Sequence, residues 1–233
     1  TCFNTMIKTY QKHGLHLWAE EECYVFLTKG THAYNLGNRY ATPDKACYRE
    51  DAVITTLSTT AAASATSLTV GTTTGMTVGD YIGIVLDTLS IQWTTIATIP
   101  TSTTLTLTVA LTSQASSSKN IYTFTTIIDK PLRIHSTRRI SANTVGTSTP
   151  ALPMYQASHE EYFDIPYKEM TGTPTQWYYQ PRKTYGQFHV WPSPETSQTY
   201  LEMTMERPLT DLNAVTDIPD IPLVDGKQVI NMA

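Results

Sequence analysis

Ser67-Leu-Thr-Val-Gly-Thr-Thr-Thr-Gly-Met-Thr-Val-Gly-Asp-Tyr-Ile-Gly-Ile-Val-Leu86 is the stretch on which the fold turns. Leu68 and Val70 alternate with threonine, and the run from Tyr81 to Leu86 is apolar and rich in β-branched residues. Both patterns suit short strands, and Gly71, Gly75 and Gly79-Asp80 supply turns between them. The same pattern continues through Ile91 to Ile96, Leu105 to Val109 and Ile121 to Phe124, punctuated by Pro100 and the serines 116 to 118. From Ala52 to Ile128 the only charged residues are Asp80, Asp87 and Lys119. Low charge and abundant threonine also describe low-complexity sequence, but Leu68, Val70, Ile82, Ile84 and Trp93 supply a core. The stretch therefore predicts a small β-barrel or sandwich.

Upstream, Phe3, Met6, Ile7 and Tyr10 form one stripe of an amphipathic helix, ended by Lys12, His13 and Gly14. Leu15 to Trp18, Cys23 to Leu27 and Ala33 to Gly37 then read as strands joined by a Lys29-Gly30 turn, a β-meander, followed by a loop from Asn38 to Asp51. Downstream, ordinary charge content resumes at Asp129. A strand is expected over Pro131 to Arg139 and a loop over Asn143 to Pro153. Ser158-His-Glu-Glu161 has the form of a capping box and predicts a short helix stopped near Pro166. Gln176 to Gln180, Gln187 to Trp191 and Tyr200 to Glu206 alternate as strands, and Thr210 to Pro222 reads as an irregular acidic loop.

The expected fold is α+β and mainly β. Residues 1–51 and 129–233 form a helix-flanked β-sandwich, into which residues 52–128 are inserted as the small β-barrel or sandwich. The chain opens at Thr1 in what reads as mid-helix, so elements at both ends, a C-terminal helix among them, are expected to be missing.

Of the 233 residues, 40% are hydrophobic and 15% charged, the latter well below the usual share of about a quarter. The net charge of −4 argues against a dedicated nucleic-acid binder, whose balance would be basic, but does not exclude a wall that DNA merely passes. No apolar run approaches the ~20 residues that cross a bilayer, and no secretory signal opens the chain. Cys2, Cys23 and Cys47 are odd in number and lack C-x-x-C spacing, so buried thiols are expected rather than a disulfide framework.

No catalytic group can be assembled by motif. His13, His16, His32, His135, His159 and His189 are isolated in sequence, and a structural role is preferred for His16 and His189. Phosphate-binding glycine loops are absent. Ser116-x-x-Lys119 matches a nucleophile motif only formally, inside a serine-rich turn. Asp211, Asp217 and Asp220 lack the spacing and glycine of a calcium loop. Neither a cofactor nor a metal is expected.

Arg133, Arg138 and Arg139 have two readings, contact with passing DNA or pairing with acids such as Asp217 and Asp220 of a neighbouring subunit. Arginine forks suit both phosphate and carboxylate, and in an acidic chain the subunit interface is preferred. Trp177, Tyr178, Tyr179, Tyr185, Phe188 and Trp191 would serve a sugar platform, yet alternation sends neighbours to opposite faces. Core or interface is preferred, with Trp18, Trp177, Tyr179 and Trp191 as candidate interface aromatics.

Several segments resemble the head-to-tail adaptor proteins of short-tailed bacteriophages, the tail tubular protein A type. The N-terminal pattern is Tyr10-Gln-Lys-His-Gly14, Leu15-His-Leu-Trp18, the acids Glu20 to Glu22, then Val25-Phe-Leu27. Ala65-Thr-Ser-Leu-Thr-Val70, Val78-Gly-Asp-Tyr-Ile-Gly-Ile-Val-Leu86, Trp93-Thr-Thr95 and Ile121-Tyr-Thr-Phe124 are similar to a recurrent insertion in phage virion proteins. Glu161-Tyr-Phe-Asp-Ile-Pro166, Gly172-Thr-Pro174, Val190-Trp-Pro192, Arg207-Pro-Leu209 and Asp217-Ile-Pro-Asp-Ile-Pro222 complete the order. The resemblance implies a virion protein at the head–tail junction, assembled in the bacterial cytoplasm as a dodecameric homo-oligomeric ring. Its partners would be the portal and the tail tube or nozzle, with double-stranded DNA threading the lumen and no catalysis. A tail fibre is a further expected contact of the inserted part. The chain departs from that family after Pro222, where Leu223 to Ala233 reads poorly as the usual helix. The alternative is a tail-fibre or carbohydrate-binding module.

Overall fold

Seven residues of β1 (Glu20–Phe26) pair antiparallel with Glu206 to Tyr200 of β17 (Thr199–Glu206), and this ladder is the spine of the molecule. The computed structural model describes residues 9, 20–37, 45–141, 150–208, 223–224 and 227–228. The expected N-terminal helix, the strand from Leu15 to Trp18 and the acidic loop lie outside them, as do Cys2, His13 and His16.

Around the spine, β3 (Ala46–Tyr48), β10 (Arg133–Ser141) and β11 (Ala151–Pro153) complete a five-stranded sheet in the order β11-β10-β17-β1-β3. A four-stranded sheet lies opposite, with the order β12 (Tyr155–Gln156), β14 (Gln176–Pro181), β15 (Gly186–Trp191), β2 (Ala33–Leu36). Alternation sends Cys23, Val25, Leu201, Met203 and Met205 inward from one sheet and Tyr34, Leu36, Trp177, Phe188 and Val190 from the other. The expectation of a mainly β sandwich holds. Two expected loops contain strands, β3 in the first and β11 in the second.

The expected meander does not form, because β1 and β2 belong to different sheets. The backbone between them is bonded elsewhere. Leu27 N–H donates to the Thr199 carbonyl (3.2 Å), Lys29 N–H to Ser197 Oγ (2.8 Å) and Gly30 N–H to the Pro194 carbonyl (2.8 Å). Gly30, at φ +74°, turns the chain from one layer to the other rather than back on itself.

Residues 53–124 form a rolled six-stranded sheet in the order β4 (Val53–Thr56), β9 (Asn120–Phe124), β6 (Tyr81–Val85), β7 (Ile91–Thr101), β8 (Thr104–Leu107), β5 (Ser67–Thr69). Its two edges meet through a Leu57–Val70 bridge, reinforced by Ser58 N–H on the Thr69 carbonyl (2.9 Å) and Gly71 N–H on the Thr56 carbonyl (3.0 Å). Leu68, Val70, Ile82 and Ile84 fill its core as expected. Trp93 does not. It lies across Gly83, where a Cβ would meet the indole at 2.7 Å, and packs at the seam with the sandwich.

Entry to and exit from the rolled sheet are clasped together. The Asp51 carboxylate accepts from the N–H groups of Thr125 (3.2 Å) and Thr126 (2.5 Å), and Cys47 bridges Ile127. At the seam, Tyr24, Phe26 and Tyr200 of the five-stranded sheet meet Tyr81, Trp93, Tyr122 and Phe124. Cys23 and Cys47 are buried and unbridged, and burial pushes both thiols well up from their ordinary range.

Candidate interaction surface

The three charges of the rolled sheet are tied down locally. The buried Asp80 carboxylate accepts from Thr77 N–H (2.7 Å), Thr77 Oγ1 (2.6 Å) and Thr125 Oγ1 (2.9 Å). Asp87 accepts from Ser116 N–H (3.0 Å), Ser116 Oγ (2.8 Å) and Gln114 Nε2 (3.1 Å), with Lys119 Nζ at 4.0 Å. Ser116 and Lys119 thus both serve Asp87, and their motif-like spacing builds a turn. These hydrogen bonds hold the Asp87 carboxyl below its ordinary value, the Ser116 N–H first among them. Among the described residues no group of three or more His, Cys, Asp or Glu could hold a metal ion.

The arginine group divides. Arg133 stands opposite Glu206 and Arg138 opposite Glu202, and a register shift between Ile134 and Ser136 brings these two arginines to one face of β10. Both are exposed. Arg139 points to the other face and is half-buried, donating through Nη1 to the Pro174 carbonyl of its own chain (3.0 Å). That bond sets it apart from the other two arginines and holds the turn before β14 against β10. Asp217 and Asp220, the expected partners, lie outside the described residues.

An arginine passed over as loop does more on this face. Arg49 pairs with Glu22 and with the largely buried Glu202 (Nη1 to Oε1, 3.2 Å), while its Nε donates to Tyr24 Oη (3.2 Å). Its signal in the sequence was Glu22 two residues before Tyr24, which alternation places on one face.

The aromatic candidates divide as well. Trp177 is 1% exposed and stacks on Phe188 (centroids 5.8 Å, 23°), so it is a core residue and not an interface anchor. Tyr179 is half-buried against the same core and donates its hydroxyl to the Pro131 carbonyl. Trp191 is partly exposed and donates Nε1 to the Tyr167 carbonyl (3.1 Å). Trp18 lies outside the described residues.

What the sequence did not single out is a flank. Eight large apolar side chains are exposed among the described residues, and five of them, Leu152, Tyr155, Phe163, Tyr167 and Met170, fall within one segment. That segment runs through β11 and β12, the edge strands of the two sheets, and then through α1 (His159–Phe163). The expected capping box is formed: Ser158 Oγ accepts from Glu161 N–H (3.2 Å) and Glu161 Oε2 from Ser158 N–H (2.7 Å). Glu161 Oε1 also accepts from Tyr155 Oη (3.0 Å). Lys168 Nζ donates to the carbonyls of Phe163 (3.1 Å) and Ile165 (3.0 Å) at the far end of the helix. Beyond it a shallow, open concavity is lined by residues 166–170.

α1 covers the outer face of the four-stranded sheet through Tyr162. That ring stacks on Tyr178 (5.4 Å, 20°), and its hydroxyl lies 3.2 Å from His189 Nδ1. Burial lowers the His189 pKa to about 4, with His32, Arg182 and Lys168 adding to the effect, so the ring is neutral at pH 7.

Compared with known protein families, with curated proteins and with solved structures, the chain matches none.

Proposed function

We propose that the chain is a structural, non-catalytic subunit of a bacteriophage particle, part of the ring joining head to tail. The observation that carries this is the flank from Leu152 to Met170. Monomeric proteins rarely gather exposed large apolar groups in one place, and such gatherings mark contact sites. Tyrosine, phenylalanine and methionine are also the side chains enriched at subunit interfaces. The flank includes the edge strand of each sheet, so a neighbour seated there would cover two edges that are unpaired among the described residues, as well as the apolar side chains.

Head-to-tail contacts between identical copies close into a ring when the rotation closes. The ordered resemblances to head-to-tail adaptors set the expected partners, the portal on one side and the tail tube or nozzle on the other, with DNA passing through. Arg133 and Arg138, both exposed on one face of β10, are the cations available to a neighbour's carboxylates. The buried place of Trp177 counts against a sugar platform built on β14 and β15.

The deciding experiment is the mass of the purified protein by light scattering, alone and mixed with portal rings. The expected result is a particle of about a dozen copies, formed alone or on the portal, which Tyr167→Glu with Met170→Glu reduces to monomer without loss of strand signal. A wild-type monomer that ignores the portal would overturn the proposal, and glycan binding by that monomer would put the fibre or sugar-binding module in its place.

A further inference from the structure

The underside of α1 is unusual in the charge it collects. His189, 8% exposed, sits between Tyr162 (centroids 4.8 Å), Tyr178 (5.8 Å) and His32 (6.5 Å). His159 of α1 stands edge-on to Tyr178 at 5.7 Å and stacks on Phe163 at 4.3 Å. Lys168 Nζ lies 5.6 Å from the Tyr162 ring. The charged groups acting on His189 are His32 from before β2, Arg182 from after β14 and Lys168 from after α1, all cationic or able to become so. The Glu161 carboxylate of the helix is held by Ser158 and Tyr155. His189 Nε2 has no hydrogen-bond partner among the described residues.

We infer that the Tyr162–His189 contact is an acid-sensitive latch: a proton taken up by His189 releases α1, and the apolar flank it positions, from the four-stranded sheet. The argument holds for either tautomer. A neutral ring has one N–H and one lone pair, whereas an imidazolium must donate from both nitrogens. If Tyr162 donates to Nδ1 in the closed state, the new proton reverses that bond, and the N–H on buried Nε2 still has no acceptor among the described residues. If Nδ1 donates to Tyr162, the new proton appears on buried Nε2 with no acceptor. Either way the closed state must carry a buried positive charge beside Lys168, whereas the open state exposes the ring to water, with His32 and Arg182 staying on the sheet. The pKa is depressed when closed, so the latch is at full strength above pH 6.5. It weakens as the pH falls from there to about 4.

Hydrogen exchange tests this on wild-type protein. The amides of Tyr162 and Asp164, bonded to the Ser158 and Glu160 carbonyls, report α1, and those of Val25 and Met203 report the sandwich core. Corrected for intrinsic rates, α1 protection should fall about tenfold or more between pH 7 and pH 4, while the core amides keep theirs. His189→Gln, which retains a hydrogen-bonding amide and cannot titrate there, should hold α1 protection constant across that range. Unchanged α1 protection in the wild type, or an equal loss in His189→Gln, would overturn the latch. Should that variant fail to fold, the wild-type ring answers alone by NMR. A His189 that titrates near 6.5 with α1 still protected would also overturn it. The effect on assembly rests on the flank being a subunit contact. α1 opening at pH 4 with particle mass unchanged would leave the latch standing and remove the flank from the interface.

Discussion

Gly186 has no side chain because a tyrosine occupies its space. A Cβ there would lie 2.2 Å from Tyr179 Oη and 2.5–2.6 Å from two ring carbons. The ring cannot retreat freely, since its hydroxyl is bonded to the Pro131 carbonyl and its body packs on the sandwich core. Gly186→Ala should therefore destabilise the fold by about 1–3 kcal/mol, the usual cost of overfilling a packed site. Urea unfolding measures it, and an unchanged midpoint would mean that Tyr179 moves aside at no cost. Single residues were legible in the sequence where alternation alone set their place. Leu68, Val70, Ile82 and Ile84 face one core because each sits in phase on its strand, whereas alternation left Trp177 open between core and interface. Arg133 and Arg138 could not be placed that way. An odd spacing puts them on opposite faces until the bulge beside His135 returns them to one, and bulges follow from pairing, which a single chain segment does not reveal.

Elements were legible when the forces that make them are local. The α1 capping box joins residues three apart and was read directly from Ser158 and Glu161. Five of the six strands of the rolled sheet were marked by Gly, Pro and Ser turns. β1 and β2 show the opposite case. Their strand character was plain, but β1 pairs with β17 and β2 with β15, partners 150 or more positions away in sequence. Short strands such as β3 and β4 carried no alternation long enough to notice. The capping box yields the prediction at this scale. Ser158→Ala removes the hydroxyl that accepts from Glu161 N–H, leaves the backbone N–H bond to Glu161 Oε2, and should cost about 1 kcal/mol, felt first in α1. Exchange of the Tyr162 amide should quicken, while Ser158→Asp, which keeps an acceptor at the cap, should restore its protection. Equal protection in Ser158→Ala and wild type would mean that packing on Tyr178, rather than the cap, fixes the helix.

At the scale of the molecule, the question is whether sandwich and rolled sheet behave as one body, and Phe26 is where they meet. Its ring lies 4.4 Å from Tyr122, 5.8 Å from Trp93, 6.0 Å from Phe124 and 6.3 Å from Tyr200, so three of its four aromatic neighbours belong to the rolled sheet. Each part also has an apolar core of its own. Two parts with separate cores unfold together only if the contacts between them outweigh the difference in their stabilities. Phe26→Ala deletes the shared ring at a cost of roughly 3–5 kcal/mol, and it leaves both separate cores intact. Calorimetry should then show one transition in the wild type and two in the variant. The polar contacts across the seam run against this outcome: Tyr122 Oη donates to the Ser197 carbonyl (2.9 Å), and Asp51 clasps Thr125 and Thr126. A single transition at lower temperature would show that these contacts, and not the aromatic seam, make the two parts cooperative.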